Sequence, residues 1–403
     1  MNKALHGHPA WIGIVYFLVA ATPGFWFPVV SNILKAQGWS HIITWTFLVP
    51  PLVGMISPLL FAARADQHIP AEKLLGGILL VGSLFLYLAF HELERGLYPE
   101  RFLAFIAITA LITAPAWSLL TTITFTWVDK GRGSFGVYRV WATLGWMAAG
   151  WIVSSLALDT SASTGKLAVI TRIIAAAACF MLPSTPPGGK ASKRWRDSLG
   201  LSALKLMRER DIAVFLIISC LFSIPLAAFY MHTPPMLQEL GVKSVAATLT
   251  IGQVTEVFAI LAITTVMGKC RIKWLLLFAI LCGAARYALY AIATRQGSVP
   301  IAIIGIAFHG LCWTFFYEAG RIFLDRKVSL AFRSQIQALM GMFSGSLGSI
   351  AGTLITGALY NGMVVDGVPG WPAYWWLLTG MIVLCAIGFL LGYKGDPAGH
   401  GSG

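Results

Sequence analysis

Arg139, Arg172, Glu256, Arg286, His309 and Glu318 all stand inside long apolar runs of this sequence. An ionisable side chain at the centre of a bilayer costs roughly 2.5–3.5 kcal/mol on insertion scales, so each of these needs a partner or a purpose. Glu256 is near the middle of its run, in Thr250-Ile-Gly-Gln-Val-Thr-Glu-Val-Phe, with Gln253 one helical turn earlier on the same face. A carboxyl shielded from water suits a group that must load and release a proton. The alternative is a fixed ion pair with Arg286 that holds two helices together, although such a pair is often no better than apolar packing.

Arg139 opens another run as Tyr138-Arg-Val-Trp-Ala-Thr-Leu-Gly-Trp, which puts Thr143 and Trp146 on its stripe. A cation, a hydroxyl and an aromatic plane in line suit a polar ring ligand. The same arginine could equally snorkel to the membrane surface. In His309-Gly-Leu-Cys-Trp-Thr-Phe-Phe-Tyr-Glu-Ala-Gly-Arg, His309, Trp313, Tyr317 and Gly320 share a face, and Thr314 and Glu318 share the adjoining one. Those rings could stack on a base or a sugar, or simply pack. Gln335 and Gln337 offer amides at the start of the next run.

The elements that must position these groups are transmembrane helices. Of 403 residues, 57% are hydrophobic and 11% charged, with mean hydropathy +0.77. A soluble fold could not hide that much apolar surface, whereas lipid accepts it. The formal charge of +13 lies in the segments between apolar runs, as the positive-inside rule produces, and points to topology rather than to a nucleic-acid ligand. The cysteines Cys179, Cys220, Cys270, Cys282, Cys312 and Cys385 fall in or at the edges of apolar runs without a CxxC pair, so neither a disulfide framework nor a metal site is expected. GxxxxGK, strand-based GxGxxG, HExxH and nucleophile-elbow signatures are missing, which disfavours an enzyme or an ATP-driven pump. No cofactor is expected beyond an ion gradient.

Apolar runs of span length number about twelve, near 10–33, 41–62, 73–91, 102–126, 138–158, 166–183, 212–231, 244–268, 273–293, 299–323, 334–361 and 373–393. The first reads as a retained span rather than a signal peptide. The basic stretch 184–211 divides them into two sets of six and is expected on the cytoplasmic side with both termini. The expectation is therefore an all-α polytopic protein: an N-terminal six-helix bundle over 1–183, a linker over 184–211, a C-terminal six-helix bundle over 212–393 and a polar tail over 394–403. That is the architecture of the major facilitator superfamily, with a substrate site between two parallel repeats. Pro23, Gly24, Pro28, Pro50, Pro51, Pro115 and Pro225 predict kinks.

The chain resembles the nucleoside:proton symporter family of that superfamily. The resemblance runs over most of the sequence and is strongest in the Tyr138–Trp146 segment, Leu182-Pro-Ser-Thr-Pro-Pro, Leu199-Gly-Leu-Ser-Ala-Leu-Lys-Leu-Met-Arg, Ile251-Gly-Gln-Val-Thr-Glu, Ala285-Arg-Tyr-Ala-Leu-Tyr, His309-Gly and Phe332-Arg-Ser-Gln-Ile-Gln. It implies nucleoside contacts at Arg139, Thr143, Trp146, Gln253, Glu256, His309 and Trp313, with Glu256 also the proton-linked carboxylate. Tyr317 and Gln337 are further candidate contacts, Glu318 a second candidate proton carrier, and Arg286 a structural charge partner. Where the family typically has an aspartate in the tenth span this chain has Thr314, and the family's polar seventh-span pair appears as Ala227 and Tyr230. The loop signature between the second and third spans keeps Asp66 but has Ala62 for its glycine and Gln67 for its arginine.

These readings converge on proton-coupled nucleoside symport by alternating access, in the inner (plasma) membrane, by a monomer with a lipid bilayer and a small-molecule substrate as its partners. A saccharide or glycosylated metabolite is the nearest alternative cargo. A membrane sensor or assembly protein that transports nothing is the alternative of another class.

Overall fold

The structure, a computed structural model, describes residues 9–61, 69–127, 135–186, 201–329, 332–364 and 370–395. Each of the apolar runs lies on helix, and nine helical segments among the described residues are long and apolar enough to cross a membrane. The sixth run is helical over Thr164–Phe180 and is shorter than those nine. The Asp66 loop signature and residues 187–200, half of the basic linker, lie outside the described residues.

The chain divides into two compact units. The first takes the residues up to Trp195 together with Tyr230–Gln238 and Val242–Thr250. Its helices are α1 (Pro9–Gly24), α2 (Val30–Ala36), α3 (Ile43–Phe61), α4 (Ala71–Arg95), α5 (Pro99–Thr113), α6 (Ala116–Trp127), α7 (Phe135–Ser155) and α8 (Thr164–Phe180). Its core is formed by side chains such as Ile12, Tyr16, Leu75, Leu120, Tyr138 and Cys179, with α1 packed along α7 and α8.

The second unit takes the rest. Following α9 (Arg210–Leu226), α10 (Ala228–Glu239) and α11 (Val245–Lys269), the last two shared with the first unit, come α12 (Ile272–Gln296), α13 (Val299–Trp313) and α14 (Ala319–Lys327). They are followed by α15 (Arg333–Met340), α16 (Ser349–Met363) and α17 (Trp371–Gly392). Within it α12 packs along α13 and α17, and α9 along α16 and α17.

Breaks fall where proline removes an amide donor. The first run is interrupted after Gly24, with a 3-10 turn over Phe27–Val29, the fourth around Pro115, and the seventh between Leu226 and Ala228 beside Pro225. Pro50 and Pro51 do not interrupt α3. Two π-helical stretches, Thr314–Glu318 and Gly341–Gly348, interrupt the tenth and eleventh runs without any proline. Such widened turns are frequent at functional sites.

Candidate functional site: two polar and aromatic clusters

In the first unit, small residues let α1 and α7 approach closely, as is common between membrane helices. A Cβ at Gly145 would overlap the backbone of Phe17, and one at Gly24 would stand 3.1 Å from the Cα of Trp146. This close packing fixes the stripe on α7. Thr143 is buried, and the half-buried Trp146 lies 5.8 Å from the Tyr230 ring and 6.3 Å from Phe27, centroid to centroid. Tyr230 is therefore part of the aromatic surround of Trp146. The side chain of Arg139 lies outside the described residues, while its backbone is the fifth residue of α7, which starts at Phe135 rather than at the expected 138. Arg172, by contrast, turns inward from α8, and its Nη1 donates to the carbonyl of Gly82 on α4 at 3.2 Å.

In the second unit two glycines create the equivalent close crossing. A Cβ on Gly252 of α11 would stand 3.0 Å from the Cβ of His309, and one on Gly310 of α13 would overlap the backbone of Thr255 and Glu256. The Gly310 amide donates to Thr255 Oγ1 at 3.2 Å, tying the two helices at the same point. Glu256 thus sits at the crossing, half-buried, with Gln253 buried one turn earlier.

The stripe on α13 forms as the helical spacing requires. His309 and Trp313 are stacked with centroids 6.3 Å apart, and Trp313 meets Tyr317 at 4.6 Å. Phe229 extends this series, lying nearly parallel to His309 at 4.2 Å. Trp313 is 38% exposed, which leaves its ring accessible, whereas Tyr317 is buried and its hydroxyl is 2.7 Å from Ser223 Oγ. Glu318 ends the π turn, half-buried, while Thr314 at the start of that turn is fully buried.

Arg286, buried on α12, places Nη1 2.9 Å from His309 Nδ1 and stacks its guanidinium on the rings of Phe229 and Tyr287 at 4.8 and 4.7 Å. Gln337 donates Nε2 to the carbonyl of Arg321 at 2.9 Å, which ties α15 to α14. Phe229 and Ser223 did not emerge from the sequence as site residues. The helix break beside Pro225 was the one signal near them, since a broken helix turns neighbouring side chains away from a regular stripe.

An acid at a helix crossing, a buried amide, and a series of aromatic rings make a surface able to hold a flat polar ligand and to exchange a proton beside it. The sequence profile of the family described as "Nucleoside H+ symporter" matches residues 10–397. The chain is 28% identical over 395 residues to the putative nucleoside transporter YegT of Escherichia coli (strain K12), covering 92% of this chain and 90% of that protein. It is 24% identical over 402 residues to the nucleoside permease NupG of the same organism, covering 94% of each. A crystal structure of a point mutant of NupG superposes with a TM-score of 0.86 at 23% identity, covering 96% of this chain and 99% of that one. With the profile spanning nearly its whole length, the chain belongs to the nucleoside:H+ symporter family of membrane transporters, which have the major facilitator fold and are not enzymes.

Proposed function

We propose that this protein carries nucleosides across the inner (plasma) membrane together with protons, by alternating access. The observation that carries the reading is the crossing of α11 and α13, where Glu256 lies against Gly310 next to the His309–Trp313 stripe. A carboxyl held beside a ring-binding surface links proton uptake to cargo, because a ligand bound there alters the surroundings of the acid.

In this reading Glu256 is the proton carrier and Glu318 the second acid. The nucleoside contacts are Arg139, Thr143, Trp146, Gln253, Glu256, His309 and Trp313, with Tyr317 and Gln337 contributing less directly. The topology proposed with it is twelve spans in two sets of six, over 1–183 and 212–393, with the 184–211 linker and both termini cytoplasmic. The carrier works as a monomer.

Proteoliposome uptake tests the reading. Glu256→Gln is expected to abolish gradient-driven accumulation while sparing exchange, and full accumulation by this variant would remove Glu256 from the mechanism. Uridine or adenosine should compete for uptake and plain sugars should not; the reverse order would reassign the cargo.

A further inference from the structure

His309 is held from four sides. Phe229 of α10 covers one ring face at 4.2 Å and an interplanar angle of 12°. Gly252 of α11 lies under its Cβ and Cδ2, where a side chain would stand 3.0 and 3.3 Å away. Trp313 stacks beyond it on its own helix, and Arg286 of α12 places Nη1 2.9 Å from Nδ1. A guanidinium has donors and no acceptor, so in this contact Nδ1 must accept and the ring proton must reside on Nε2.

We propose that Arg286 is a positioning residue that fixes His309 as its Nε2–H tautomer, making this histidine a hydrogen-bond donor toward the substrate. The inference rests on the reading of His309 as a nucleoside contact. It makes the recognised class narrower: cargo must present an acceptor there, such as a base carbonyl, an unprotonated ring nitrogen or a ribose oxygen. It also separates two tasks within one cluster. His309 cannot take up a proton at Nδ1 without losing the Arg286 bond, so it reads the ligand while a carboxylate carries the proton.

The geometry explains the buried arginine as well. Arg286 is 1% exposed and lies over Phe229, the ring stacked on His309, so the cation clamps both the edge and the covering ring of the imidazole. A cation held over aromatic faces is stabilised by their electron density, which lets it remain buried while aimed at a neutral partner.

Nitrogen NMR of the purified carrier bearing isotope-labelled histidine tests this directly, with the His309 signals identified by their loss in His309→Gln. The wild type should show an unprotonated Nδ1 and a protonated Nε2 at position 309. Arg286→Lys, which keeps a donor, should preserve that pattern, and Arg286→Leu should give a mixture of tautomers. In uptake, Arg286→Leu should raise the nucleoside KM by the inverse of the fraction of His309 left as the Nε2–H tautomer, about twofold for an even mixture, with turnover little changed. A purely structural role would instead lower the amount of folded carrier and leave KM alone. A protonated Nδ1 in the wild type overturns the proposal, even if both Arg286 variants fail to fold. So does Arg286→Leu with the wild-type tautomer and KM. The tautomer is read without substrate, so a carrier that takes up no nucleoside would defeat the functional reading while leaving the Arg286–His309 result standing.

Discussion

Gly310 on α13 lies flat against the peptide joining Thr255 to Glu256 on α11, so closely that any Cβ at position 310 would overlap that backbone. The crossing that places the candidate proton carrier therefore depends on the absence of one methyl group. Gly310→Ala should push the helices apart, at about 1–3 kcal/mol for an overpacked contact, and should lower uptake because Glu256 moves with its helix. Gly380→Ala on α17, where a Cβ meets nothing within 4 Å, is the control. Thermal unfolding in detergent and proteoliposome uptake check both; equal behaviour of the two variants would show that the crossing tolerates the extra atom.

Ser223 and Tyr317 form an unequal pair. Ser223 Oγ donates its one proton to the carbonyl of Ser219 at 2.7 Å, so the 2.7 Å contact with Tyr317 has the phenol as donor. Ser223→Ala strands a buried donor, about 1–3 kcal/mol, whereas Tyr317→Phe removes one bond and leaves only a spare lone pair, about 0.5–1.5 kcal/mol. The double variant should thus be more stable than Ser223→Ala alone, which a thermal double-mutant cycle reads. Because the hydroxyl is committed to Ser223, Tyr317→Phe should leave nucleoside KM unchanged. A raised KM would mean that the phenol turns to the ligand.

The features legible in the sequence were those that one helix determines by itself. Spacing alone put His309, Trp313 and Tyr317 on one stripe, and their rings do meet in series, His309 stacked on Trp313 and Trp313 tilted against Tyr317. Pro115 and Pro225 mark real interruptions because a missing amide acts locally. The partner of Arg286 was not legible in the same way. The sequence offered Glu256 as the opposite charge, whereas the Nη1 bond goes to a histidine on a third helix, a choice made by tertiary packing. The π turns at Thr314–Glu318 and Gly341–Gly348 were equally hidden, since a change in backbone hydrogen-bond register needs no special residue. Gly252 and Gly310 carried a usable signal, small residues directly beside the polar Gln253 and His309, but only the packing tells which neighbour requires them.

Asp159, in the segment between α7 and α8, caps the start of α11 within the first unit. Its Oδ1 accepts from the Ala246 amide at 2.7 Å and from the Ser154 hydroxyl at 2.9 Å, and Ser154 Oγ accepts from the Ala247 amide at 2.9 Å. Asp159→Ala should destabilise by about 0.5–2 kcal/mol, as for other N-caps. Burial raises the Asp159 pKa, outweighing the hydrogen bonds from Ala246 and Ser154 that pull it down. The folded chain therefore keeps this proton to higher pH than the unfolded chain. The associated stability is fully present below the ordinary aspartate value of about 3.9 and is lost as pH rises through the raised folded value. Asp159→Asn keeps an acceptor but cannot ionise, so it should flatten this part of the pH–stability curve. An unchanged slope in that variant would assign the pH dependence to another group.

The hydroxyl of Thr314 is fully buried with no hydrogen-bond partner among the described residues. Most helical threonines here return their hydroxyl to a carbonyl one turn back, as Thr356 does to Gly352 at 2.7 Å; the Thr314 hydroxyl makes no such bond, although its amide reaches the Gly310 carbonyl. An unpaired buried hydroxyl adds nothing to stability, so Thr314→Val should leave the unfolding temperature unchanged or raise stability by up to about 1 kcal/mol. If Glu318 is the second acid, Thr314→Val should also retain proton-driven accumulation, while Glu318→Gln should reduce it several-fold with exchange less affected. The opposite result, a stable Thr314→Val carrier that no longer accumulates substrate beside an active Glu318→Gln, would show that the hydroxyl serves the ligand or the proton directly and that Glu318 serves neither.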